Sequence, residues 1–388
     1  MEKSRWISRV GHHQKKWYLR WHLYLGLFAG TIIMVVALSG TVLTFRDEID
    51  RWLNPDLLLV KPQGEVLAIH KLLEITQRQE SDWEIVGIFV PELDQPERSY
   101  QIRVEGDKRQ IFINPYDGQI IGSRVRDDAF IGIMLSLHRR LLLPTWGRYI
   151  VGISALILVI MTITGLRQWI PKRWKMLQSR LSVRFSGSKK RQNYDWHNAL
   201  GFYSAPFVLI LALTGFGITF TTILVPLSFL LSGEPVQTLE TIFDPQSVIQ
   251  SEKSSSITVE EAITIAEATI EGGVFTSINM PHDSLGAFQV FLNVPQANGT
   301  LKREFLAIDQ YSGGVIYDTP HDGPYLGMAF LDWLTPLHYG TFGGSFTRWV
   351  VFFASLIPVA LYFTGLFIWL PRFKKQRKSI PKTSPVKP

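Results

Sequence analysis

Four histidines recur at fixed spacing, and they are the residues in this chain most able to carry chemistry. Trp21-His22 and Trp196-His197 stand 175 residues apart. The positions after them repeat in step: Gly26 with Gly201, Ser39-Gly40 with Thr214-Gly215, and Thr44-Phe45 with Thr219-Phe220. Leu137-His138 and Leu337-His338 stand 200 apart. They are followed by Arg148 and Arg348, Thr164-Gly165 and Thr364-Gly365, Trp169 and Trp369, and Pro171 and Pro371. Neutral imidazole is the commonest protein ligand for a transition metal. The chain has no cysteine, which excludes disulfides, thiolate metal sites, cysteine-held iron–sulfur clusters and covalently attached c-type haem. Redox chemistry would therefore rest on a cofactor held by histidine. Two facing imidazoles are what a six-coordinate b-type haem takes from a helix bundle. Zinc is the competing reading, but no carboxylate repeats beside the histidines, and two ligands per site are too few for it.

The elements that must position these residues are apolar helices. Four runs carry no charged residue: 23–45, 149–166, 198–233 and 349–371. A crossing of the hydrocarbon core takes roughly 20 helical residues. The third run is longer than that, so 198–220 is read as its span and 221–233, with Pro226, as an outer-leaflet extension. The first run is too long for a cleaved signal peptide and lacks a small-residue cleavage site. The basic residues are sorted by position: 1–21 carry six, 171–195 eight and 371–388 seven, against two carboxylates, Glu2 and Asp195. The net charge of +7 is thus a topology signal and not a nucleic-acid surface.

The expected chain order follows. A cytoplasmic leader (1–21) precedes a first membrane helix (22–45), an external domain (46–130) and an interfacial segment with His138 (131–147). A second helix (148–170), a cytoplasmic loop (171–195) and a third helix (196–220) come next. Then come an external extension and second domain (221–325), an interfacial segment with His338 (326–346), a fourth helix (347–370) and a cytoplasmic tail (371–388). The expected fold is a membrane all-α four-helix transmembrane core of two parallel repeats, related by a pseudo-twofold along the membrane normal, with two small α+β external domains. Each external domain reads as one helix, at 66–79 or 259–271, followed by alternating strands and a turn, Asn114-Pro115-Tyr116-Asp117-Gly118 or Asp309-Gln310-Tyr311-Ser312-Gly313-Gly314. Neither shows a catalytic constellation, and each reads as a packing or docking unit.

This topology puts His22 and His197 at the cytoplasmic face and His138 and His338 at the external face, so one haem is expected near each. Arg148 and Arg348 could pair with haem propionates or snorkel to the interface. Gly26, Gly30 and Gly201 offer small-residue faces for close helix approach. His12 and His13 lie in the basic leader, and His282 and His321 in external loops, where solvated or turn roles are expected.

These residues resemble the PepSY-associated transmembrane-helix family, whose members are described as iron-regulated or siderophore-linked. The resemblance rests on Trp21, His22, Gly26, Ser39 and Gly40 and their counterparts Trp196, His197, Gly201, Thr214 and Gly215. It also rests on Gly165, Trp169 and Pro171 with Gly365, Trp369 and Pro371, and it spans nearly the whole chain. The external domains resemble PepSY domains. The resemblance implies a bacterial inner membrane, periplasmic external domains, cytoplasmic termini, and haem b, two per chain, on His22, His197, His138 and His338. It also implies reduction of ferric siderophores in some members.

The expected function is electron transfer from the cytoplasmic side to a periplasmic ferric chelate, which would make the chain a haem-dependent ferric-siderophore reductase. No G-x-G-x-x-G follows a strand, so the donor is expected to be quinol or a soluble reductase. The alternatives are a transporter or permease component, against which stands the lack of mid-span ionisable residues, and a non-catalytic partner-binding membrane protein.

Overall fold

The protein, seen as a computed structural model, is described over residues 2–378 apart from 81, 92–93, 107, 172, 250–254, 297–299 and 320–325. Its helices of eight or more residues are α1 (Glu2–Leu43), α2 (Arg46–Leu53), α3 (Ile69–Gln79), α4 (Phe130–Arg140), α5 (Gly147–Trp169), α6 (Lys189–Tyr203) and α7 (Ala205–Thr219). They continue with α8 (Thr221–Ser232), α9 (Val259–Thr269), α10 (Leu326–Tyr339) and α11 (Gly344–Lys378). The strands are β1 (Ile85–Phe89), β2 (Tyr100–Val104), β3 (Arg109–Ile113), β4 (Ile120–Val125), β5 (Val274–Asn279), β6 (Ala287–Pro295), β7 (Leu301–Asp309) and β8 (Val315–Asp318).

The expected four-helix all-α core is corrected in two ways. Three segments are long and apolar enough to cross a membrane: Trp17–Leu43, Gly147–Trp169 and Thr341–Leu370. The expected third span is instead a bent pair, α6 and α7, broken by 61°. The break has a local cause. Pro206 has no N–H to donate, and a proline ring crowds the carbonyl four residues back, so the ladder cannot run straight through Ser204. The Ser204 hydroxyl donates to the Leu200 carbonyl at 2.6 Å, giving that acceptor a second partner at the bend. The residues before the bend are also polar, with Asn193, Asp195, His197 and Asn198 all on α6.

Around these helices α1 packs against both α5 and α11, α5 against α7, and α11 against α6. Polar side chains tie α1 to α11: Thr31 Oγ1 lies 3.0 Å from the Tyr362 hydroxyl and Thr41 Oγ1 2.8 Å from Ser355 Oγ. In an apolar surround such bonds hold helices together modestly.

The second correction concerns the external domains. Their strands do not form two separate sheets. They make one eight-stranded antiparallel sheet in the order β4-β3-β2-β1-β5-β6-β7-β8. The repeats are joined at the centre, where β1 pairs with β5 in the register Gly87↔Asn279, Ile88↔Ile278 and Phe89↔Ser277. Helices α3 and α9 cover one face. Leu72 and Ala266 from the helices, with Ile88, Ile102, Ile278 and Val290 from the sheet, belong to one buried cluster that runs across the joint. Alternating strands could bury an apolar face either within each repeat or across both, and the longer continuous sheet removes two open edges from water.

The two turns are built alike. Gly118 and Gly313 hold left-handed φ values of +73° and +70°, and their N–H groups donate to the carbonyls of Asn114 and Asp309. Tyr116 and Tyr311 hydroxyls donate to the carbonyls of Pro96 and Ser284, each at 2.8 Å. The Asp309 carboxylate accepts from the backbone N–H groups of Val248, Tyr311 and Ser312 at 2.7–2.9 Å. Burial opposes its ionisation, but these donors outweigh burial and hold its pKa below the ordinary carboxylate value.

Two outcomes follow. A Cβ on Gly87 would meet the Ile278 carbonyl oxygen at 2.3 Å, so Gly87→Val should open the β1–β5 joint, seen as a lowered melting temperature and new protease cleavage between the strand halves. Asp309 has a depressed folded pKa, so its contribution is present above the unfolded value of about 3.9 and lost as pH falls through the folded value. Asp309→Asn should therefore destabilise by about 1–3 kcal/mol at pH 7, and a series of melts from neutral to strongly acidic pH should show that difference shrinking.

Candidate functional site

Each of the four repeated histidines faces a hydroxyl or carbonyl from a different helix. His22 on α1 places Nδ1 3.2 Å from Thr164 Oγ1 on α5. His197 on α6 places Nδ1 2.8 Å from Thr364 Oγ1 on α11. His338 on α10 places Nδ1 2.9 Å from Thr214 Oγ1 on α7. His138 on α4 places Nδ1 2.8 Å from the Val36 carbonyl on α1.

The partners decide the tautomer. A carbonyl can only accept, so His138 carries its proton on Nδ1. The threonine hydroxyls spend their protons on the helix backbone: Thr164 donates to Met161, Thr364 to Ala360, and Thr214 to Ile210. Their oxygens are then left as acceptors, and the other three imidazoles also donate from Nδ1. All four rings keep a bare Nε2, and among the described residues no hydrogen bond reaches any of those nitrogens. That is the form in which a histidine ligates a metal, its other nitrogen pinned by an outer acceptor.

The rings meet in two pairs. His22 and His197 have centroids 6.5 Å apart, and His138 and His338 6.0 Å apart. Each pair thus brings together two imidazoles with their Nδ1 atoms already committed, and these residues would suit a histidine-held haem at each pair. Among the described residues no group of three or more His, Cys, Asp or Glu is placed to hold a metal ion.

Glycine supplies the room. A Cβ on Gly40 would stand 2.8 Å from His138 Cε1, and on Gly215 3.0 Å from His338 Cε1. On Gly165 it would stand 3.2 Å from His22 Cε1, and on Gly365 3.4 Å from His197 Cε1. The repeated Thr-Gly pairs therefore have a joint role: threonine orients a ring from another helix, and glycine lets it lie against the backbone. Sequence reading found the dipeptides but not that they serve the histidines of the other half-motif. The departure is at Ser39, whose hydroxyl donates to Val35 and Val36 and leaves His138 to the Val36 carbonyl.

The pairs sit at opposite ends of the helices. His22 and Gly40, the seat of His138, are 18 residues apart on α1, or about 27 Å at 1.5 Å per residue. The basic segments attach at the His22/His197 end, because Thr164 lies near the C-terminal end of α5 and Thr364 near the end of the apolar span Thr341–Leu370, before the basic residues that follow it. The sheet lies beyond the His138/His338 end.

The repeated arginines clamp that end. Arg148 donates to the carbonyl of Thr219 at the end of α7, and Arg348 to the equivalent Thr44 beyond α1 at 2.8 Å. Arg348 also grips Glu48 with two nitrogens, at 2.8 and 2.9 Å. Burial opposes the Glu48 charge, and the Arg348 contact overrides it and lowers its pKa. The position matching Glu48 in the second repeat is Ile223, and among the described residues Arg148 meets no carboxylate.

Gly26 and Gly30 face Met161 and Tyr362 and serve side-chain packing between helices. His282 is exposed beside Asp283 at 3.1 Å, and His70 meets Glu260 across α3 and α9 at 2.7 Å. The side chains of His12 and His13, and all of His321-Asp322-Gly323-Pro324, lie outside the described residues.

A comparison with curated proteins finds no match. The model of the PepSY-associated TM region matches residues 19–372, nearly the whole chain, with all four paired histidines inside the match. The chain is therefore a membrane protein of the PepSY-associated TM region family.

Proposed function

We propose that this protein is an inner-membrane electron-transfer protein that holds one b-type haem at His22/His197 and a second at His138/His338. The observation carrying this reading is the meeting of the four repeated histidines as two imidazole pairs, with ring centroids 6.5 and 6.0 Å apart and each Nδ1 held by an acceptor from another helix. Haem bound there would supply one-electron transfer between the two membrane faces. The chain would take electrons from quinol or a soluble reductase on the basic-segment side, read as cytoplasmic with both termini. It would deliver them on the periplasmic sheet side to a ferric siderophore or similar chelate. One electron converts Fe(III) to Fe(II), a poorer partner for hard-oxygen ligands, and the iron is released.

The protein's own groups have defined tasks in this reading. Thr164, Thr364, Thr214 and the Val36 carbonyl hold the imidazoles in one tautomer and one orientation, and raise the basicity of Nε2. Glycines 40, 165, 215 and 365 keep the ring faces against helix backbone. Arg348 and Glu48 fix the external ends of α11 and α1 to each other. Arg148, which meets no carboxylate among the described residues, is the arginine available to one at the His138/His338 end.

The first test is the visible spectrum of the purified protein, oxidised and dithionite-reduced. A low-spin bis-histidine spectrum with two haems per chain is expected, and His22→Ala and His138→Ala should each remove a different haem. Colourless protein, with no haem on pyridine extraction, would sink the proposal. Thr364→Val removes the acceptor of His197 and should change the midpoint potential of one haem while leaving the other unmoved.

A further inference from the structure

The face of the sheet opposite α3 and α9 looks toward the helices. At one edge α2 lies against it through Asp50, which pairs with Arg124 of β4 at 2.6 Å. At the other edge Val225 and Phe229 of α8 pack with Ala307 and Tyr317. Between these supports, at the centre of the face on β1 and β5, Phe89 is 41% exposed while Ser277 is buried.

Two guanidiniums converge on this central strip from opposite sides. Arg103 on β2 reaches across β1 to β5 and donates to Asn279 Oδ1, with the Ile278 carbonyl at 3.4 Å. It can cross because β1 carries Gly87 at that point, where a Cβ would stand 2.6 Å from Arg103 Nη2. Arg303 on β7 crosses β6 over the ring of Phe291, at 4.3 Å, and donates to Ser277 Oγ at 3.2 Å. Ser277 and Asn279 are two residues apart on the same face of β5.

Neither arginine meets a carboxylate among the described residues. Arg103 Nε is buried with no partner there. Burial, then the charges of Arg126 and Arg303, push the Arg103 guanidinium below its ordinary value. Two like charges, partly desolvated, are drawn together with neutral acceptors alone, an arrangement unfavourable in itself. The edge arginine Arg124 on the same face has its carboxylate, so the missing counterion is particular to the centre.

We propose that Arg103 and Arg303 form the seat of an oxyanion, and that its occupant is the anionic, carboxylate- or catecholate-bearing ferric chelate that the protein reduces. The planar forks match paired oxygens, and Asn279, Ser277 and Gln289 add neutral hydrogen bonding around them. The seat lies on the side of the sheet facing the His138/His338 end. The inference rests on the reading of the acceptor as a ferric chelate, and it adds a charge class and a location.

The test uses the full chain in nanodiscs without reductant, with ferric citrate as probe. Saturable binding is expected in phosphatidylcholine discs. Arg103→Gln and Arg303→Gln should each weaken it roughly tenfold or more, the loss expected for a charge-assisted bond, and added salt should weaken it too. Asn279→Asp keeps an acceptor for Arg103 while neutralising the seat, so it should also lose ferric citrate while the sheet's circular dichroism stays unchanged. Equal binding by wild type and both glutamine variants would overturn the seat. So would occupancy by phosphatidylglycerol headgroups that ferric citrate cannot displace, which would make it a lipid-phosphate site. Colourless protein that binds ferric citrate through both arginines keeps the seat and removes the relay. Haem-loaded protein whose binding ignores both arginines does the reverse.

Discussion

Everything at the candidate site depends on one constraint: each imidazole must give its proton to a fixed acceptor on a neighbouring helix. A free histidine exchanges tautomers and rotates. A histidine whose Nδ1–H meets an oxygen already spent as a donor can do neither. That requirement places a threonine or a carbonyl opposite each ring, a glycine beside it, and the two helices concerned within contact distance. The helix arrangement follows from these four cross-helix bonds, since His22–Thr164 ties α1 to α5, His197–Thr364 ties α6 to α11, His338–Thr214 ties α10 to α7, and His138–Val36 ties α4 to α1.

The bend between α6 and α7 belongs to the same logic. A straight helix through 189–219 would carry Asn193, Asp195 and His197 in line with its apolar half. With the bend, α6 turns its polar residues to local partners: Asp195 accepts from Arg191 at 2.9 Å, and Asn193 donates to the Thr364 carbonyl at 2.9 Å, beside the bond that pins His197. The Pro206 position makes this geometry easy for the backbone and costly to undo.

The joined sheet changes how the outer part of the molecule is understood. Two separate modules would each present an edge strand and a private core. One sheet with a shared core holds the outer ends of both repeats in register, so the His138 and His338 elements are anchored to a common support. The joint also creates something neither module has alone. Arg103 comes from the first repeat and Arg303 from the second, and both reach β5 only because β1 and β5 are neighbours.

By itself the sequence determined the repeat, the apolar runs, the basic segments, the four histidines and the turn chemistry of Asn114–Gly118 and Asp309–Gly314. These are local patterns of type and spacing, and they are legible because water and lipid impose them residue by residue. It also marked the Thr-Gly pairs, though not their purpose. Tertiary structure alone decided the rest. Which ring meets which threonine, the merging of two sheets into one and the convergence of Arg103 on Asn279 all join residues more than a hundred positions apart. Periodicity reports the face a residue presents, and only packing in three dimensions decides what that face meets.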